Sequence, residues 1–210
     1  MSERTPLYGD TEPLRIRQDK TLSNGDPCNT ATLTFSNHSG THIDAPKHFY
    51  QNGRSIAEYR IEELIYKKPQ IIDCLKNENE LIRIDDLLMI SDCDLLLIRT
   101  GFFKYRSEDR YRTNNPGISP EAAEWLRREH PNIRAIGIDA ISITAFQSRE
   151  EGRKAHRILL NNDGYPGQPV LLIEDMDLSF EADKISKVYV APLFIEGIDS
   201  ISCAVIGEYD

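Results

Sequence analysis

Residues 36–49 read Ser-Asn-His-Ser-Gly-Thr-His-Ile-Asp-Ala-Pro-Lys-His-Phe, and this stretch decides how the rest of the chain is read. Three of the chain's five histidines, His38, His42 and His48, fall within it, together with Asp44. Neutral imidazole nitrogen and carboxylate oxygen are ligands that suit Zn²⁺, Mn²⁺ and Fe²⁺. Donors on one ion lie about 3 to 4 Å apart, whereas a straight strand would separate His38 from His42 by about 13 Å. A continuous helix would narrow that gap, but Gly40, Thr41 and Pro46 oppose one. The spacing therefore predicts a bend at Ser39-Gly40, then a short extended piece with His42 and Asp44 on the same face. Pro46 turns the chain again and brings His48 in from another side. Packing explains one histidine beside an apolar run; it does not explain three with an aspartate between glycine and proline breaks.

Outward from this stretch, short β-branched apolar runs recur at 31–35, 69–75, 94–99, 135–138, 170–173, 187–191 and 201–206. Their length and flanking turn residues are those of strands. Helical spacing is present at 58–65 and, more briefly, at 83–89. The clearest helix begins at Ser119, an N-cap followed by Pro120 and Glu121, and stops near His130, ahead of Pro131. His130 then has a structural role, as a cation at a helix C-terminus. Strands alternating with helices, and a strand-rich C-terminal part, predict an α/β fold on a mixed β-sheet with flanking helices. Residues 106–115, RSEDRYRTNN, are the most polar stretch and are expected to form a solvated loop. The 210 residues show no repeat and no Gly/Ser- or Pro-rich linker, so 1–210 is expected to be a single domain.

The balance of 25 Lys+Arg against 34 Asp+Glu gives a net charge of −9, with no basic stripe to neutralise phosphates, which argues against a nucleic-acid partner. No apolar run approaches the roughly 20 residues that cross a bilayer, and MSERTPLYGD has no apolar signal region, so the expected location is the cytoplasm. Cys28, Cys74, Cys93 and Cys203 form no C-x-x-C pair and are expected to be free thiols.

The segment His38-Ser-Gly40-Thr41-His42-Ile-Asp44-Ala-Pro46-Lys-His48 satisfies every fixed position of His-x-Gly-Thr-His-x-Asp-x-Pro-x-His. That is the signature of the cyclase family of metal-dependent hydrolases, which includes bacterial kynurenine formamidase (arylformamidase) and isatin hydrolase. The chain resembles this family along nearly its whole length. Pro6 to Asp10, Leu97-Ile98-Arg99-Thr100-Gly101, Asn115-Pro116-Gly117, Gly137-Ile138-Asp139 and Ile195-Glu196-Gly197 are similar to its landmarks. The resemblance implies the swivelling β/β/α fold, a homodimer or homotetramer, a small-molecule substrate, and one or two divalent metals, Zn²⁺ or Mn²⁺, per subunit. It implies that His38, His42 and Asp44 hold the first metal, and that Asp44 and Glu174 bridge to a second held also by His156. His48 would be the proton donor and acceptor rather than a ligand. Tyr8 stands where formamidases place an aromatic against the substrate, and Thr41 and Asp139 are candidates to orient a ligand histidine. Glu174 also stands out on its own, because a carboxylate ending a buried run is costly unless paired or metal-bound.

The implied activity is hydrolysis of an amide-like C–N bond by metal-activated water. A lactone hydrolase or cyclase/dehydratase on the same metals, and a non-catalytic metal- or small-molecule-binding protein, are the alternatives. Two departures from the family pattern bear on specificity. The chain begins almost at the substrate-side segment, without the extra N-terminal strand usual in the family. Residues 161–169, NNDGYPGQP, lengthen the spacing from His156 to Glu174 near the expected pocket.

Overall fold

The apolar runs become strands, and their order along the chain sets where the histidines meet. The computed structural model describes residues 1–9, 11–180 and 185–209, so Asp10 of the N-terminal landmark lies outside the described residues. A hairpin of β1 (Arg15–Lys20) and β2 (Thr30–Thr34) precedes β3 (His42–Asp44). Strands β4 (Ile65–Tyr66), β5 (Pro69–Asp73), β6 (Leu81–Ile82) and β7 (Leu95–Arg99) follow. Then come α1 (Asp109–Thr113), β8 (Gly117–Ile118), α2 (Pro120–Glu129), β9 (Ala135–Ile138) and α3 (Arg149–Leu159). The chain closes with β10 (Leu171–Glu174), β11 (Ile185–Pro192) and β12 (Ser200–Tyr209).

Eight strands form one mixed sheet in the order β4-β11-β12-β3-β10-β9-β7-β5. Strands β5, β7, β9 and β10 run parallel, while β3 is antiparallel to both its neighbours, β10 and β12. Both faces are covered, which is why Leu95, Leu96, Leu97 and Ile98 are all buried in succession. On one face Leu96, Ile98, Ile136 and Leu172 pack against Ala122 and Leu126 of α2 and Ala155 and Leu159 of α3. On the other, Leu95, Leu97, Ile43 and Ile173 pack against Ile56, Leu64, Val188 and Val190. The mixed sheet with flanking helices is thus the architecture expected.

Helix α2 forms as its sequence predicts: the Ser119 hydroxyl accepts from the Ala122 N–H at 3.1 Å, and His130 is the C-cap. The reason given for His130 needs correction. Its ring packs edge-on to Trp125, with centroids 4.6 Å apart, and burial lowers its pKa, which works against the cationic role expected of it.

Other expectations are corrected too. Residues 58–65 are not one helix but two 3-10 turns, Ile56–Glu58 and Ile61–Leu64, separated by extended backbone at Tyr59 and Arg60. Glu58 and Glu63 accept from the N–H groups of Ser55 and Arg60, so each turn carries its own cap and the helix restarts. The candidate at 83–89 shrinks to the 3-10 turn Ile84–Leu87, with Asp86 accepting from the Arg83 N–H. Residues 106–115 are exposed at 106–110 and 112, as expected of a solvated stretch, but they are not a plain loop. They contain α1, whose fully buried Tyr111 donates to Asp175 at 2.6 Å, and they end at the buried Asn115. Residues 161–169 pack away from the expected pocket. The buried Arg127 of α2 donates to the carbonyls of Leu159, Asn161 and Gln168, and Tyr165 reaches Glu124. All four cysteines are free thiols. Among the described residues no helix is long and apolar enough to cross a membrane.

Candidate metal centre

The bend expected at Ser39-Gly40 is present: Gly40 has φ +66°, the left-handed region that glycine tolerates. Strand β3 follows at once, and its alternation points Ile43 into one core and His42 and Asp44 to the opposite face. The register with β10 sets Glu174 directly across from His42, and directly opposed residues share a face. That face looks toward α3, which presents His156. Pro46 starts a 3-10 turn, Pro46–His48, that carries His48 around to the same place.

Asp44 is the hub. Its Oδ1 lies 3.2 Å from His38 Nδ1 and 3.6 Å from His42 Nε2. Glu174 Oε2 lies 3.4 Å from His42 Nε2, and Glu174 Oε1 lies 3.3 Å from His156 Nε2. Among the described residues, ligand-type atoms within 4.8 Å of one another form two groups sharing Asp44: His38, Asp44 and His48, and His42, Asp44 and Glu174. His48, expected outside the ligand set, therefore stands within ligand reach of His38 and Asp44.

The donor set fits a cation. His42, Asp44, His156 and Glu174 are all at least nine-tenths buried. Yet both Asp44 oxygens and His42 Nε2 make no contact of hydrogen-bond geometry, the carboxylate being close only to imidazole rings. A buried carboxylate left so costs several kcal/mol unless it is paired or coordinates a metal. The tautomers agree. His42 Nδ1 donates to the Gly40 carbonyl at 2.8 Å, and His156 Nδ1 to the Gly152 carbonyl at 3.0 Å, so each Nε2 is left to face the carboxylates. Thr144 Oγ1 lies 3.0 Å from the same His156 nitrogen. Glu174 Oε1 accepts from Ser142 Oγ and the Ile143 N–H.

The electrostatics follow from this crowding. Burial works against charge on every member, but the partners outweigh it. Asp44 and Asp199 raise the His38 pKa to about 10, and His42 and His156 are raised by Asp44 and Glu174. The histidines in turn hold Asp44 well below the usual carboxylate range and Glu174 at about 2. The cluster is thus an ionised carboxylate pair charge-balanced by protons that a metal would displace.

Thr41 and Asp139 do not orient a ligand histidine. The Thr41 hydroxyl donates to the Asp175 carbonyl, and Asp139 spends its carboxylate on the Thr100 and Gly101 N–H groups and the Thr100 hydroxyl. Both sites need those bonds to pin the strand ends. The orienting groups are Gly40, Gly152, Thr144 and Asp199. Asp199, ahead of β12, accepts from His48 Nδ1 at 2.6 Å and lies 3.1 Å from His38 Nε2. No local motif marks it, since its partners are more than 150 residues away.

A cavity of about 330 Å³ opens onto the cluster, walled by Tyr8, Phe49, Ile141, Thr144, Arg149 and Arg153. Tyr8 packs edge-on to Phe146 at 5.6 Å, and its hydroxyl is buried without a hydrogen-bond partner. A larger cavity of about 510 Å³, beside Met176, Phe180 and Tyr209, is lined by none of the histidines.

Comparison with known proteins identifies the family. The family model described as "Putative cyclase" matches residues 1–145. The kynurenine formamidase of Erythrobacter litoralis is 30% identical over 159 residues, covering 75% of this chain and 69% of that protein. That of Geobacillus thermodenitrificans is 30% identical over 152 residues, covering 71% and 69%. Isatin hydrolase A from Labrenzia aggregata shares the fold, with a TM-score of 0.78 at 22% identity over 95% of this chain and 84% of its own. With the family model spanning more than half of its residues, including the whole of 38–48, this chain belongs to the cyclase family.

Proposed function

We propose that the protein is a metal-dependent hydrolase that cleaves an amide-like C–N bond, as the name of its kynurenine formamidase relatives suggests. The observation that carries this reading is the buried Asp44 carboxylate, shared between two groups of ligand-type atoms at the floor of a cavity. In this reading His38, His42 and Asp44 hold one divalent ion, Zn²⁺ or Mn²⁺, and Asp44, Glu174 and His156 hold a second. Metal held there lowers the pKa of water toward about 7 and polarises a carbonyl.

The chain's own residues do the rest. His48, fixed through Nδ1 by Asp199, has Nε2 left to take a proton from the attacking water and return one to the leaving nitrogen. Asp199 sets the tautomer that makes this direction of transfer available. Tyr8 and Phe49 provide ring faces on which an apolar substrate body rests, keeping water from that side.

The assembly proposed is a homodimer or homotetramer in the cytoplasm. The fully exposed hairpin supports self-association, since Ile16 and Leu33 stand opposite each other with about half their surface in water.

The test is turnover of the metal-loaded protein on N-formylkynurenine, isatin and small lactones, with His48→Ala in parallel. Formamide hydrolysis lost in His48→Ala, with metal content near wild type, is the expected result. Absence of turnover on all of them at full metal occupancy contradicts it, and His48→Ala with less metal makes His48 a ligand instead.

A further inference from the structure

The chemistry above leaves the arginines of α3 unused. Helical spacing puts Arg149 and Arg153 one turn apart on the side of α3 that carries His156, and both line the cavity over the cluster. Arg149 has no carboxylate within ion-pair distance among the described residues. Its guanidinium carbon sits 4.0 Å from the centre of the Phe146 ring and 6.0 Å from that of Tyr8. Arg149 itself is exposed, and the Tyr8 hydroxyl beside it is a buried polar group in that wall. Burial raises the Tyr8 pKa, with the Arg149 charge working against the rise, so this hydroxyl stays a neutral donor.

Among the described residues Arg153 is paired with Glu150 alone, on the same helix, with that carboxylate 78% exposed. Such surface pairs contribute little and exchange readily for a better-placed anion. Arg157, a turn further on, lies 5.4 Å from the centre of the Phe49 ring and does not line the cavity. The cavity is therefore polarised: carboxylates and imidazoles at the cluster, guanidinium groups on the α3 wall. A solvated helix face would account for exposed arginines, but not for two that line one cavity with a buried hydroxyl.

We propose that Arg149 and Arg153, with the Tyr8 hydroxyl, form an anion subsite that selects substrates carrying a carboxylate on the same small scaffold as the scissile amide. The planar fork of Arg matches a carboxylate in two-bond geometry. A cavity of about 330 Å³ suits a scaffold of a single ring against Phe49. This inference rests on the hydrolase reading for the amide, and on the cavity alone for the anion.

The test compares N-formylanthranilate with its methyl ester, identical except for the charge, in wild type, Arg149→Gln/Arg153→Gln and Arg149→Lys/Arg153→Lys. The expected wild-type preference for the acid is about tenfold in kcat/KM, expressed in KM, from charge-assisted hydrogen bonds in a partly open site. The Gln pair removes the preference and the Lys pair restores part of it. A preference that survives in the Gln pair overturns the proposal. Calorimetric titration of benzoate into the metal-loaded protein gives a second readout without turnover. Binding about tenfold weaker in the Gln pair supports the subsite, and equal binding in both proteins overturns it. Arginine-dependent benzoate binding with neither formamide hydrolysed would sink the hydrolase reading and leave the subsite. Hydrolysis indifferent to the arginines would do the reverse.

Discussion

Gly152→Ala tests how α3 aims His156. Gly152 is buried in the second turn of α3, and a Cβ added there would lie 2.4 Å from both Cγ2 and Oγ1 of Thr144. Two effects oppose each other. In a helix interior, Gly to Ala ordinarily gains about 0.5–1 kcal/mol. Forcing an extra carbon into a packed interior costs about 1–3 kcal/mol. The overlap wins here, because Thr144 is branched, buried, and held in place by the Ser142 hydroxyl on its N–H and by His156 on its own hydroxyl. The net loss is then about 1–2 kcal/mol, which lowers the Tm of a chain this long by roughly 2–8 °C. Thr144 cannot yield without tilting the imidazole it holds, so metal affinity should fall about 10- to 100-fold. Calorimetric unfolding and chelator competition for Zn²⁺ measure the two quantities. A higher Tm with unchanged affinity would refute the argument, since propensity would have beaten packing and His156 would not depend on Thr144.

Asp199→Asn should lower kcat about 10- to 100-fold, because the Asn side chain no longer fixes the His48 tautomer; unaltered kcat would remove Asp199 from the mechanism. Metal-free protein should lose stability as pH rises. His38, at about 10 when folded against an ordinary 6.5, contributes fully below 6.5, and that contribution is lost as pH climbs through 10. Glu174, at about 2 against 4.5, contributes above 4.5 and loses its contribution as pH falls through 2. The urea midpoint of chelated protein should therefore fall between pH 7 and 10, whereas bound metal, which competes with those protons, should reverse the trend. A midpoint of chelated protein that rises over that range would contradict the charge arrangement.

The parts of the molecule legible in the sequence are those ruled by short-range chemistry. The bend at Gly40, the extended His42–Asp44 piece and the turn at Pro46 follow from glycine, alternation and proline acting within a few residues. The same holds for α2, whose cap and first turn are adjacent in sequence. Helix α3 was not legible, because REEGRKAHRIL buries only Gly152, Ala155, His156 and Leu159, a stripe with one strongly apolar side chain. Within 106–115 the exposure of the polar residues is legible, but the burial of Tyr111 is not, because it depends on Asp175, 64 residues later, a contact no local pattern announces. Asp199 and the two cavity arginines share that character, since their meaning comes from which strand or helix lies beside them. Glu174 lies between these cases: its place at the end of an apolar run was visible, its pairing with His42 across the sheet was not.

Asp44 is the one side chain common to both groups of ligand-type atoms, so its replacement tests the metal centre most directly. Protein purified without chelator should contain one or two equivalents of Zn²⁺ or Mn²⁺ by elemental analysis, and Asp44→Asn, folded by circular dichroism, should contain almost none. Wild-type stoichiometry in the folded Asp44→Asn variant would contradict the account.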